Sequence, residues 1–213
     1  MKRGTLKLFA LGGVAGPVLF TLITFICASF RDGYSHIAHF ISELGANGTS
    51  NADLMNFAGF IPAGILIAFF GVSLILVLPK NFLTRLGSVL ITIFGIGMAV
   101  VGFFSCDPGC PRVGSLENNI HDQISGPIFI SAISGILLLG ISFRNLPAWR
   151  RFWIYSLLSS LFSFCFIIAL INSLQTNTFT GLWQRLLLLT LFVWFGIIGL
   201  HIFRLKSDIG ETM

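Results

Sequence analysis

Apolar residues fall into six long runs separated by short polar gaps along this 213-residue chain. The runs lie at Leu8–Phe30, Asn56–Leu78, Leu86–Ser105, Ser125–Phe143, Phe152–Ile171 and Leu186–Phe203. Each reaches or approaches the roughly 20 residues that cross a bilayer core. No water is available at that depth to satisfy backbone groups, so each run is predicted to be helical. The chain therefore reads as all-α, a single integral membrane domain over residues 1–213 built as a six-transmembrane-helix bundle. The first run is too long for a signal-peptide core and lacks a small-x-small cleavage site. No lipobox precedes Cys27.

Composition agrees with that pattern. The hydrophobic fraction is 55 %, the charged fraction 10 % and the mean hydropathy +0.91. A water-soluble fold of this length has too little interior to hide so much apolar surface. The net charge of +5 is then a topology signal, and no nucleic-acid partner is expected. Ten Lys and Arg, including Lys2, Lys7, Arg85, Arg144, Arg151 and Lys206, fall on the side that holds both termini. Only Arg31, Arg112 and Arg185 fall on the other. The positive-inside rule makes the termini cytoplasmic, and the cell's inner (plasma) membrane is the expected location. Six of the eight acidic residues and three of the four histidines sit in or beside the outer connections. Chemistry is expected on that outer face.

Small and ring residues punctuate the spans. Gly12 and Gly16 form a G-x-x-x-G pair, which lets a second helix approach closely. Packing inside the bundle is the plainer reading, and self-association the alternative. Pro17 and Pro62 are expected to kink their spans.

The first outer connection, 31–55, is too long for a simple hairpin. Its opening stretch, "YSHIAHFISELG" at 34–45, puts His36, His39 and Glu43 on one side of a helix at i, i+3, i+7. An interfacial helix ending at Gly45 is predicted, its apolar side against lipid or bundle. Two imidazoles on adjacent turns can also hold one metal ion, with Glu43 or His121 completing the shell. A transition metal such as zinc bound by His36, His39 and His121 is thus one expectation. A merely wet polar face is another, and metal-free acid–base chemistry a third.

In "FFSCDPGCPR", Cys106 and Cys110 flank Asp107-Pro108-Gly109, a tight-turn sequence. In an oxidising compartment a Cys106–Cys110 disulfide is favoured, with a metal-binding thiol pair and free thiols as alternatives. Cys27 and Cys165 are small apolar residues of the spans. His121 precedes Asp122 at the start of the fourth span, where Ser115 is a candidate helix cap. His121 could act as a base toward Ser42, Ser105, Ser115 or a bound water. Asn56, Asn172 and Ser173 are candidates to line a cavity at the same end. His201, near the inner end of the sixth span, reads as a helix-end hydrogen bonder. Asn47-Gly48-Thr49 is a formal glycosylation acceptor and carries no weight here.

Three segments together, "HFISELGANGTSNADLMNFAGFIPAG", "GFFSCDPGCP" and "IHDQISG", resemble a prokaryotic membrane family known as domain of unknown function 998. The resemblance covers nearly the whole chain, anchored on Ser42, Glu43, Leu44, Gly45, Asn56, Gly59, Asp107 and His121. It implies a small six-helix membrane protein and no settled activity. It also implies that Glu43, Asn56, Asp107 and His121 gather at one membrane surface.

Two functions follow as expectations. In the first, an outer-face pocket lined by Ser42 and Asn56 binds a lipid or lipid-linked head group. As a membrane-embedded hydrolase it would use His121, Glu43 and Asp107. In the second, a structural, sensory or accessory protein docks a partner through its outer loops, with histidines that sense pH. A transporter ranks below both, because no span carries a charge at its centre.

Overall fold

The computed structural model describes residues 3–176 and 178–205. Lys2 and Lys206, both counted on the basic side, lie outside the described residues. Six helices are long and apolar enough to cross a membrane. Their α-helical parts are α1 (Arg3–Ser29), α2 (Ile61–Val77), α3 (Phe82–Phe103), α4 (Leu116–Phe143), α5 (Trp153–Thr176) and α6 (Thr180–Arg204). A π-helical segment, Leu54–Phe60, runs directly into α2. Among the described residues there is no strand.

Several helices outrun their apolar stretches, because hydropathy reports depth in lipid and not helix length. α4 starts at Leu116, where the Ser115 hydroxyl accepts from Asn118 N–H at 3.2 Å and caps the first turn. α6 starts at Thr180 and α5 persists to Thr176. Pro62 follows the π-helical segment, whose widened turn lets Ile61 N–H donate to the Asn56 carbonyl. Proline carries no N–H for a normal ladder, and the wider turn accommodates that break.

Each helix packs on the next in sequence, and α1 closes the circle against α6. The result is a ring of six helices running alternately up and down. Both termini lie at one end, where the Lys7 ammonium sits over the Phe203 ring. Glycine sets the closeness of this ring. A Cβ at Gly12 would strike the Leu66 carbonyl, and one at Gly16 would lie 2.9 Å from the Ala63 carbonyl. The G-x-x-x-G pair thus serves the α1–α2 contact within the chain. Gly64 and Gly95 do the same between α2 and α3, each seated on the other helix's backbone.

The middle of the ring is filled by aromatic rings. Phe94 and Phe70 both pack on Phe195, with centroids 5.7 Å and 5.6 Å away, and Trp194 lies 6.3 Å from Phe70. The buried Trp194 Nε1–H donates to Ser156 Oγ at 2.9 Å, so its polar edge is satisfied. This aromatic layer closes the bundle at mid-depth and leaves the end opposite the termini more open.

Substituting Gly64→Leu should push α2 off α3 and lower stability by about 1–3 kcal/mol, the usual cost of overpacking. Gly196→Ala, whose added carbon would meet only a carbonyl 3.8 Å away, should be neutral. Thermal unfolding of the two variants in detergent tests the contrast.

Candidate functional site

The end opposite the termini is roofed by the 31–53 and 104–115 connections. Residues 34–45 do not form the expected interfacial helix. The chain from Tyr34 is a succession of turns, and only Ser42–Gly45 closes a short 3₁₀ turn. Polar side chains of the stretch itself, His39 and Glu43 of the expected wet face among them, break it instead. Ser35 Oγ accepts from Ile37 and Ala38 N–H, both at 3.3 Å. His39 Nδ1 accepts from Ser35 N–H at 3.0 Å, and Glu43 Oε1 from Phe40 N–H at 2.8 Å. Side-chain acceptors of this kind compete with a helical ladder. Tertiary bonds complete the replacement. Leu182 N–H donates to the Ile37 carbonyl at 2.9 Å, and Ile41 N–H to Gln184 Oε1 at 2.8 Å.

Two arginines brace this roof. Arg185 donates to the His39 carbonyl at 3.1 Å and to the Tyr34 hydroxyl at 2.6 Å. Arg31 donates to the Glu43 carbonyl and approaches its carboxylate at 3.9 Å. Glu43 is buried beneath them. His36 lies against Phe25 and Tyr34, centroids 5.1 Å and 5.5 Å away, with Nδ1 buried and without a partner. Burial, and then the charge of Arg185, hold its pKa below the ordinary imidazole range.

Asn56, on the π-helical segment, joins the two connections from below. Its Nδ2 donates to the Gly45 carbonyl at 2.9 Å and to Ser105 Oγ at 2.8 Å. A side chain on Gly45 would collide with that amide. In the second connection Cys106 and Cys110 are joined as a disulfide. Gly109 turns the chain at φ +81°, a conformation that a side chain would strain. Asp107 ties this turn to α4. Its two carboxylate oxygens accept from Ser115 N–H at 2.7 Å and Ser115 Oγ–H at 2.8 Å. Those bonds hold its pKa below the usual carboxylate range, the backbone one most strongly.

His121, on α4, is 7 % exposed. Its Nδ1 lies 2.8 Å from the Phe104 carbonyl and 3.3 Å from the Val101 carbonyl. Carbonyls only accept, so Nδ1 carries the hydrogen and Nε2 is left with its lone pair. The ring borders a cavity of ≈ 390 Å³ inside this end of the helix ring. Phe94 and Met98 form the floor, and Phe20, Leu170 and Leu188 line the walls. Ser42, Arg112, His121, Asp122, Ser125 and Gln184 supply the polar groups at the mouth.

The structure thus brings His121 and Ser42 to one cavity, and leaves Glu43 and Asp107 outside its lining. Asn56 borders a different, polar pocket of ≈ 360 Å³ with Ser105 and Glu117. Asn172 is exposed, and the Ser173 hydroxyl donates to the Leu170 carbonyl at 2.7 Å. His201 stands at the opposite end, with Nδ1 2.8 Å from Arg151. The zinc set of His36, His39 and His121 does not assemble. Among the described residues no three His, Cys, Asp or Glu side chains are placed to hold one ion. His36 and His39 flank Tyr34 under the roof, whereas His121 borders the cavity.

Arg112, Gln184 and Ser125 line the cavity mouth, yet spacing along the chain does not single them out. The one available signal is that Gln184 and Arg185 interrupt the start of an otherwise apolar run.

A closed ring of six apolar helices, roofed at one end by a disulfide-pinned polar layer, defines a multi-pass membrane protein. Residues 14–201 match the family described as "Protein of unknown function (DUF998)", and the chain belongs to it. No curated protein and no solved structure matches the chain.

Asn56→Ala should strand the Gly45 carbonyl and cost about 1–3 kcal/mol, the penalty for a buried group left unbonded. A lowered unfolding midpoint in detergent is the expected readout. Asp107 has its folded-state pKa below its unfolded one. The stability it contributes is present above an unfolded value of about 4 and is lost as pH falls through the folded value. Acid titration of unfolding should therefore show a steeper loss in the natural protein than in Asp107→Ala.

Proposed function

We propose that this protein binds a membrane lipid, with an acyl chain in the cavity and the head group at the His121 mouth. The observation that carries this reading is a cavity with apolar walls and a polar rim, set at one end of a membrane-spanning ring. Its volume falls within the range of about 300–1,000 Å³ common to ligand pockets. Ile130 and Ile171 border the cavity and are also 47 % and 53 % exposed on the outer surfaces of α4 and α5. The cavity's border therefore reaches the lipid-facing side of α4 and α5, which supports sideways entry of a lipid from the bilayer.

Binding without turnover suits the mouth better than hydrolysis. His121 is oriented by backbone carbonyls and not by a carboxylate. Asp122 is its neighbour on the helix and projects about 100° away. No nucleophile is held ready either. The Ser125 hydroxyl donates to the His121 carbonyl at 2.7 Å, and Ser42 Oγ lies 3.4 Å from the disulfide sulfur of Cys110.

We further propose that the cavity end faces outward and the termini lie in the cytoplasm. The skew of Lys and Arg toward the termini supports this, as does a disulfide at the other end. In a Cys165→Ser background, Ser50→Cys should react with a membrane-impermeant maleimide on intact cells, and Asn145→Cys only after permeabilisation. The reverse pattern would invert the topology.

Lipid binding itself is tested by native mass spectrometry of the protein released from mild detergent. About one lipid per chain is expected, and Leu188→Trp, which fills the cavity, should abolish it while the fold survives. A lipid-free natural protein, or undiminished lipid in the filled variant, would remove the proposal.

A further inference from the structure

We infer that the lipid selected here carries a phosphoethanolamine head group, a phosphate with a primary ammonium, held between Arg112 and Asp122. This rests on the lipid-binding reading above and specifies the ligand of that site. An acyl chain gains little by moving from bilayer to cavity, since lipid tails are as apolar as the Phe, Met and Leu walls. Selection must then come from the mouth.

At the mouth, most polar groups are already engaged. Gln184 accepts from Ile41 N–H, and the Ser125 hydroxyl donates to the His121 carbonyl. Most neighbouring charges at this end are committed too, and Asp32 and Asp53, whose carboxylates have no such bond among the described residues, lie outside the cavity's lining. Asp107 holds Ser115, Glu117 accepts from Asn47 Nδ2, Arg185 braces Tyr34, and Arg31 pairs with Glu43. Arg112 and Asp122 differ. They are the two formally charged residues bordering the cavity. Neither has an ion pair or a hydrogen bond with any described residue, and they do not pair with each other.

Two unpartnered charges of opposite sign at one mouth fit a ligand that itself carries both signs. A guanidinium matches phosphate geometry and can donate two parallel bonds to it. A carboxylate takes N–H bonds from a primary ammonium, and the His121 Nε2 lone pair is a second acceptor on the same rim. Phosphocholine offers neither acceptor an N–H. Phosphoglycerol would satisfy Arg112 but set its negative charge near an unneutralised Asp122.

The test loads the detergent-purified full chain with an equimolar mixture of palmitoyl-oleoyl phosphatidylethanolamine, phosphatidylglycerol and phosphatidylcholine. Native mass spectrometry then counts what is retained. Phosphatidylethanolamine should be enriched roughly tenfold over either competitor, the discrimination expected of one charge-assisted bond. Asp122→Asn should erase its advantage over phosphatidylcholine. Arg112→Gln should weaken retention of all three lipids, since each presents the same phosphate. Both substitutions are at exposed positions, and an unchanged unfolding midpoint verifies that each variant is folded. Equal retention of all three lipids, or a preference for phosphatidylglycerol, would overturn the head-group assignment and leave lipid binding standing. Retention of none by the natural protein would overturn both.

Discussion

Inside a bilayer, helices gain nothing from hiding apolar surface, because lipid is as apolar as they are. What holds this ring together is the closeness that glycine allows between backbones. Gly12 and Gly16 bring α1 onto α2, and Gly64 with Gly95 bring α2 onto α3. The aromatic layer of Phe70, Phe94, Trp194 and Phe195 can seal the middle of the ring only because the helices around it stand so near. A cavity at one end follows from the same constraint. The ring stays closed past the aromatic layer, while the side chains that line it there no longer meet at the centre.

The polar roof answers a second constraint. Irregular backbone near a membrane must have its hydrogen bonds met by protein. The 31–53 connection meets them with side chains: Ser35, His39 and Glu43 inside the segment, Gln184 and Arg185 from α6, and Asn56 from below. The acidic residue and the amide at its centre thereby become structural. Glu43 and Asn56 shape the mouth at one remove, by fixing where Ser42 and the disulfide turn can lie. Asp107 does the same for the start of α4, and so for the height at which His121 enters the cavity.

Much of this was legible in the chain. Apolar run length alone identifies six spans, and the Cys-Asp-Pro-Gly-Cys turn announces its disulfide. The convergence of Ser42, Asn56 and His121 on one end also follows from the order of spans. The helix through 34–45 did not follow, because spacing records which residues could share a face and not which backbone groups their side chains will capture. Ser35, His39 and Glu43 took local N–H groups, while from more than 140 positions away Gln184 took the Ile41 N–H and Leu182 N–H took the Ile37 carbonyl. With the helix went the metal site, since its geometry depended on adjacent turns. Arg112 and Gln184 were invisible for a related reason. A lone polar residue in a loop or at a span's edge gains meaning only when three-dimensional packing shows what faces it.

That difference separates polar residues that build this protein from those left over for a ligand. Hydrogen bonding within the protein is the criterion. Glu43, Asn56 and Asp107 are each bonded to named backbone or hydroxyl partners of the protein itself. Replacing any of them disturbs structure first, so loss of function there would say little about chemistry. His121 keeps one nitrogen free, and Arg112 and Asp122 keep their whole charge, all on the rim of one apolar cavity. Arg112 and Asp122 are exposed at that rim and His121 is nearly buried beside them, so a ligand's polar end can meet all three. The cavity is therefore better matched to a ligand that brings its own polar end than to a purely apolar one.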